Sequence, residues 1–254
     1  MKANIYDLNG EIKGEIELPK IFEIRPREDI LREAFRAITL SYRQPYGASP
    51  DAGMRRVGQN LGPNHGISRI PRLAGGSRAV LLGSVVGGKS AHAPRSDKVL
   101  YKKINKRERK LARFTAIALT ASREHIIKRG HRIDEDSNLT FPVIVTNDLE
   151  KIKKTRDAVE FFKKLGLYDD ILRSKENKKI RPGRGKMRNR TYKQPKSLLI
   201  VGTSYDNLKA FSSLPGVDIA TPSSLSIRKL APGGTGGRLT IFTESAISSL
   251  KEVQ

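Results

Sequence analysis

The 254-residue chain has no cysteine, which excludes disulfides and thiolate-held metal. No apolar run approaches the roughly 20 residues that a membrane-spanning helix needs; the longest, AVLLGSVVG from Ala79, is far too short. The opening residues, MKANIYDLNGEIKG, lack the apolar core of a secretory signal, so a cytoplasmic protein is the default expectation. Acids are scarce: 26 Asp and Glu against 49 Lys and Arg leave a formal net charge of +23. Such an excess favours a polyanionic partner, either nucleic acid or an anionic membrane surface. Hydrophobic residues, at 37%, suffice for a core but not for one that takes in every position. The length allows one large domain or two small ones.

The stretch from Tyr46 to Lys98 lacks phenylalanine, tryptophan and any sustained helical or strand periodicity. Glycine and proline recur through it instead. Its cations are Arg55, Arg56, Arg69, Arg72, Arg78, Lys89, Arg95 and Lys98, against Asp51 and Asp97. Connections in compact domains usually run about 4–6 residues, and structureless loops beyond roughly 15 are uncommon. A loop this long is either disordered or ordered by something outside its own domain. Isolated arginines between glycines suit a polyanion, and a chain that runs out and back at about 3.3 Å per residue reaches tens of ångströms. The expectation is an extended probe that enters folded nucleic acid.

Around it the chain reads as α/β. Ala3–Leu18 alternates about Asn9-Gly10, the dipeptide of a type I′ hairpin turn, with Ile5, Leu8, Ile12 and Ile16 as packing residues. Pro26, Glu28 and Asp29 suit a helix start, and Ile30, Ala34, Ala37, Ile38 and Leu40 recur at mainly helical spacing. After the loop a helix is expected from about Lys103 to Gly130, a good terminating residue. Its buried stripe is Leu111, Phe114, Ala118, Ala121 and His125; Lys103, Lys106, Lys110 and Arg113 form a second, basic stripe suited to phosphate. The two helices that bracket the loop should lie side by side. Strands at Phe141–Thr146, SLLIVG, GVDIAT and RLTIF then alternate with helices, the first of them capped by Asp148. The fold class is a mostly parallel sheet covered by helices on both faces, a Rossmann-like three-layer arrangement with a long extended non-globular loop. The domains are 1–45 plus 99–254, with 46–98 as the loop.

A second basic segment, 175–196, carries a single acid, Glu176. Disorder would suit its composition, but it is short and lies inside one α/β unit. Lys178, Lys179, Arg181, Arg184, Lys186, Arg188, Arg190, Lys193 and Lys196 offer phosphate contacts and Tyr192 a stacking surface. One motif looks catalytic: GSVVGGKS at 83–90 fits the nucleotide-binding pattern at every fixed position, with Lys89 for terminal phosphates and Ser90 for magnesium. That pattern needs a helix starting at Lys89-Ser90, and Pro94 falls one turn in, where it breaks helices. An RNA-stimulated NTPase and a non-ribosomal RNA chaperone are the alternatives to a structural RNA binder. The glycine-rich run at Ala231–Leu239 lacks dinucleotide spacing and reads as a tight loop. Of the four histidines, His65 and His92 lie in the long loop, where stacking on a base suits them. No catalytic residue, metal site or cofactor is expected.

Several separate stretches, in order, resemble one family: IYDLNGE, GKSAHAPRSDK, NKRERKLARFTAIALTA, PGRGKMRNRTYKQPKSLLIV and LAPGGTGGRLTIFTESAI. They resemble the L-four large-subunit ribosomal proteins in their archaeal and eukaryotic form, over nearly the whole chain. His92-Ala93-Pro94 stands where that family commonly has His-Pro-Pro, and the end at Gln254 without a long extension looks archaeal. The resemblance implies an α/β domain on the outside of the large subunit and an early-assembling protein bound to rRNA. It also implies a loop that threads rRNA to line the nascent-polypeptide exit tunnel near the L-twenty-two protein, with Arg72, Arg78 and their neighbours toward the tunnel.

Overall fold

In the computed structural model, which describes residues 1–133 and 139–252, a hairpin joins β1 (Lys2–Tyr6) to β2 (Ile12–Glu17). Its turn is not the expected type I′. Of Asn9 and Gly10 only Gly10 has positive φ, at 86°. Gly10 N–H donates to Asp7 O at 3.0 Å, and Asp7 N–H donates to Glu11 O at 2.9 Å. This is a three-residue loop with glycine in the left-handed position. The pairing register shifts between Ile5 and Tyr6. Consequently Ile12 is 59% exposed rather than packed, while Ala3 and Tyr6 are buried. Ile5, Leu8 and Ile16 pack partly against the core. Strand β2 is an edge, and the exposed Lys13, Glu15 and Glu17 keep that edge from recruiting another strand.

Helix α1 (Glu28–Ser41) carries Glu28 and Asp29 in its first turn and buries Leu31, Ala34 and Ala37, with Ile30 and Ile38 packed alongside. The long helix expected after the loop is broken. Helix α2 (Lys106–Ala118) passes into a 3-10 turn, Leu119–Ala121, and Ser122 is extended before α3 (Arg123–Lys128). Gly130, at φ 90°, ends α3 as expected. The buried side of α2 is Ala112, Thr115 and Ala116, continuing to Leu119; of the expected stripe only Ala118 is buried, and Leu111, Phe114, Ala121 and His125 are half-exposed. Ile117 is buried as well, and the end of the helix packs closely. A Cβ on Gly236 would stand 2.2 Å from Leu119 Cδ1, so the turn at Gly236 comes down directly on the helix end. Helices α1 and α2 do pack into one cluster, and Lys102 at the foot of α2 pairs with Glu33 of α1 at 2.5 Å.

Next come β3 (Val143–Val145), α4 (Thr155–Lys164), α5 (Tyr168–Glu176), a ribbon of β4 (Lys179–Ile180) with β5 (Tyr192–Lys193), and β6 (Leu199–Val201). The chain closes with α6 (Lys209–Ser212), β7 (Asp218–Ala220), α7 (Ile227–Leu230), β8 (Thr240–Thr243) and α8 (Glu244–Glu252). Asp148 does not cap α4. It lies in a 3-10 turn, Asn147–Lys151, and pairs with Lys151 at 2.6 Å. The main sheet runs β2-β1-β3-β8-β6-β7, parallel except for the β1–β2 hairpin. Alternation along its strands divides two cores. Ile144, Leu199, Val201, Ala220 and Phe242 face α1, α2, α7 and α8; Val143, Val145, Ile200, Ile219 and Ile241 face α3, α4, α5 and α6. The three-layer α/β arrangement is as expected.

The chain separates into two compact units, Met1–Thr39 with Lys102–Gln254, and Leu40–Tyr101. The second unit is irregular, as its composition predicts, but it folds on itself rather than running as a bare probe. Ala48 N–H donates to Pro94 O at 2.9 Å near its base. Further out Gln59 and Arg72 exchange backbone bonds of 2.9 and 3.0 Å, and Val80 N–H reaches Pro71 O at 2.9 Å. Val80 is buried, and a Cβ on Gly58 would lie 2.3 Å from its Cγ2. Glycine is what lets the outgoing and returning chains approach so closely.

Candidate nucleic-acid interface

Within Leu40–Tyr101 the exposed cations are Arg43, Arg55, Arg56, Arg69, Arg78, Lys89, Arg95 and Lys98, and His92 is exposed with them. Arg72 differs. It is half-buried, its Nη1 donates to Ser77 O and its Nη2 to Ser68 Oγ at 3.1 Å, so its guanidinium braces the bend that its own backbone helps pair. Along α2 and the residues before it, Lys103, Lys106 and Lys110 are exposed. Arg113 turns inward and donates to Pro222 O at 2.7 Å, and burial lowers its pKa.

The ribbon presents the densest charge. Lys178, Lys179, Arg184, Lys186, Arg188, Arg190 and Lys193 are all exposed. Tyr192 is 57% exposed with Lys178 Nζ 4.6 Å from its ring centre. Arg181 holds the ribbon rather than projecting from it. Its Nε donates to Arg190 O at 3.1 Å and its Nη2 to Tyr192 O at 3.3 Å. Lys196, at the exit, pairs with Asp218 at 2.8 Å. Spacing alone gives no sign that Arg72, Arg113 and Arg181 spend their donors on carbonyls and a hydroxyl of their own chain.

Three further arginines, not among the expected RNA contacts, are structural. Arg238 is fully buried. It donates to Ser197 O, Lys229 O and Leu198 O at 2.7–3.0 Å and pairs with Asp218 at 2.8 Å. Arg129 grips the glycine-rich turn through Pro232 O at 2.6 Å and Thr235 O; burial, with Arg238 and Arg173 nearby, brings its pKa down to about 10. Arg173 Nε donates to Asp170 Oδ1 at 2.9 Å. Asp170, fully buried, also accepts from His131 Nδ1 at 3.0 Å, Ser197 Oγ at 2.6 Å and the Arg132 N–H at 3.1 Å. A serine, a histidine and an aspartate thus meet, but without the order catalysis requires. The serine donates to the carboxylate, not to the imidazole, and His131 Nε2 is taken by the Leu239 N–H at 3.3 Å.

The nucleotide-loop pattern at 83–90 is not built as one. Among the described residues no strand leads into it and no helix starts at Lys89. The Gly88 N–H that a phosphate would need already donates to Val85 O at 3.0 Å. Nor is the usual ligand crevice of such sheets, beyond the carboxyl ends of the strands, open beside β6 and β8. Glu150 fills it, accepting from Thr203 N and Oγ1 at 2.7 and 2.6 Å, Thr243 Oγ1 at 3.3 Å and Asn207 Nδ2 at 3.2 Å. Burial opposes its charge, but these bonds outweigh burial and hold its pKa below the usual value. The free protein is therefore expected to show no saturable binding of a fluorescent magnesium nucleotide, before or after Lys89→Ala. Micromolar binding that disappears in that variant would restore the nucleotide loop.

The model of the ribosomal protein L4/L1 family matches residues 16–253. The chain belongs to that family. It is 64% identical over 252 residues to the large ribosomal subunit protein uL4 of Thermoplasma acidophilum, covering 99% of this chain and 98% of that one. To the protein of the same name from Methanocaldococcus jannaschii it is 45% identical over 253 residues, 99% of both chains. The family motifs divide by task in the structure. PGRGKMRNRTYK makes the exposed ribbon, whereas APGGTGGRL is the buried anchor of Arg129 and Arg238.

Proposed function

We propose that this chain is a structural protein of the large ribosomal subunit, a primary binder of its rRNA and not an enzyme. The full-length identity to large-subunit proteins named uL4 carries this reading. The exposed cations of Leu40–Tyr101, of α2 and of the ribbon support it, since isolated Lys and Arg neutralise phosphates and Tyr192 offers a face for an unpaired base. In the assembled particle the Leu40–Tyr101 unit opens and threads between rRNA helices, with its far end beside the path of the nascent polypeptide and a neighbouring protein of the L-twenty-two family. Past the end of α1 it has no helix or ladder strand among the described residues, and isolated bridges at Gln59–Arg72 and Arg72–Ala79 join its limbs, so contacts with RNA can replace its own pairing. Binding of this kind belongs early in assembly, before the RNA closes over the loop, in cytoplasmic ribosomes.

Sedimentation tests it. After a high-salt wash the protein is expected to stay with large subunits, because a threaded loop cannot leave while the RNA remains folded. Recovery in the soluble fraction, with other core proteins retained, would overturn the proposal in favour of a loosely bound RNA chaperone.

A further inference from the structure

A cleft of about 490 Å³ opens on the globular unit between α1, α3, α5, the ribbon exit and the glycine-rich turn. Arg32, Lys128, Arg129, Arg173 and Lys196 line it, and Glu28 is the one carboxylate that does so among the described residues. Behind the wall Arg238 adds a cation, while Asp170 and Asp218 add two anions. Six cations thus face three carboxylates. Two of them have capacity to spare. Arg173 uses Nε on Asp170 and Nη2 on Lys196 O, which leaves Nη1 with no partner among the described residues. Lys128 is exposed and has no ion pair there. No phenylalanine, tyrosine or tryptophan lines the cleft to hold a free base or nucleoside. Pro195 and Lys196, which form one wall, are the last residues of the basic ribbon, so a strand bound along the ribbon is led directly to it.

We infer that this cleft holds a backbone phosphate of the RNA, a fourth contact site besides the loop, α2 and the ribbon, resting on the rRNA-binding reading above. The Arg173 fork, oriented by Asp170, and the exposed Lys128 ammonium supply charge-assisted hydrogen bonds to the two unesterified phosphate oxygens. Asp170 and Asp218 hold the guanidiniums of Arg173 and Arg238 in place without entering the cleft.

The test uses the full-length protein and a large-subunit rRNA fragment, with affinity measured from low to moderate salt. Lys128→Glu is expected to weaken binding several-fold and to flatten the log–log salt dependence by about one contact, roughly 0.7–0.9. Lys153→Glu removes the same charge from an exposed site outside the cleft and should leave the slope at the parent value. Equal slopes for Lys128→Glu and the parent overturn the inference while leaving rRNA binding itself intact. If the parent fails to bind the fragment, the functional proposal is what fails. Titration with inorganic phosphate and with adenosine monophosphate separates the remaining source. Saturable anion binding that Lys128→Glu removes, with an unchanged rRNA slope, marks a free-anion site and also overturns the RNA contact.

Discussion

Asp170→Ala is expected to lower the unfolding free energy by about 3–5 kcal/mol, the usual cost of removing one partner from a buried charge network. The carboxylate is fully buried and accepts from four donors: His131, Arg173, Ser197 and the Arg132 backbone. Without it, Arg173 stays beside Arg129 and Arg238 with Asp218, on Arg238, the remaining buried anion described there, and the buried His131 and Ser197 donors lose their acceptor. The substitution strikes where α5, the start of α3's exit and the entry to β6 meet, so it should melt the globular unit cooperatively. Urea denaturation followed by far-UV circular dichroism measures it. A loss below about 1 kcal/mol, the range of exposed pairs, would show that the network is not needed for stability.

The same network sets an acid limit. His131 donates Nδ1–H to Asp170 and accepts at Nε2, so its folded form is neutral; burial lowers its pKa, and Asp170 opposes that only in part. As pH falls through about 6.5 the unfolded chain takes up a proton that the folded chain refuses, and stability declines. Burial also works against the Asp170 carboxylate, but its donors prevail and hold it well below the usual carboxylate range. Its contribution is complete above about pH 3.9 and is lost below that. His131→Gln should flatten the first decline and leave the second.

Much of this fold is legible from periodicity. Val143–Val145 and Leu199–Val201 are buried on both faces, and unbroken apolar runs of that kind read as parallel strands. What escapes is long-range. Leu111 and Phe114 have the right spacing for a core stripe, but both are half-exposed, Phe114 packing only partly on the core, while Ala112, Ala116 and Ile117 are buried. The candidate interface shows the same limit. The sequence marks Arg72, Arg113 and Arg181 as phosphate ligands on charge alone, while their carbonyl and hydroxyl partners lie 4 to 109 positions away and leave no local pattern. The cleft cations Arg32, Lys128 and Arg173 come from three separate helices, so no motif could gather them.

Replacing Ala52–His92 by a short glycine-serine linker is expected to reduce rRNA affinity by orders of magnitude while the globular unit keeps its fold. The excised stretch contains six cations and no acid. Arg72 is committed within the loop, which leaves Arg55, Arg56, Arg69, Arg78 and Lys89 as phosphate contacts. At roughly 0.7–0.9 per contact, the salt slope should fall by about 3.5–4.5. Stability should change little. The Ala48–Pro94 hydrogen bond that closes the base lies outside the excised residues, and closure entropy depends weakly on loop length, about 0.6 kcal/mol per doubling. A trimmed protein that fails to fold would mean that Leu40–Tyr101 belongs to the core after all. An unchanged slope would mean that its arginines do not meet phosphate. With the ribbon intact the trimmed protein should still enter early assembly particles. Those particles should mature slowly if, as proposed, the segment threads the closing RNA.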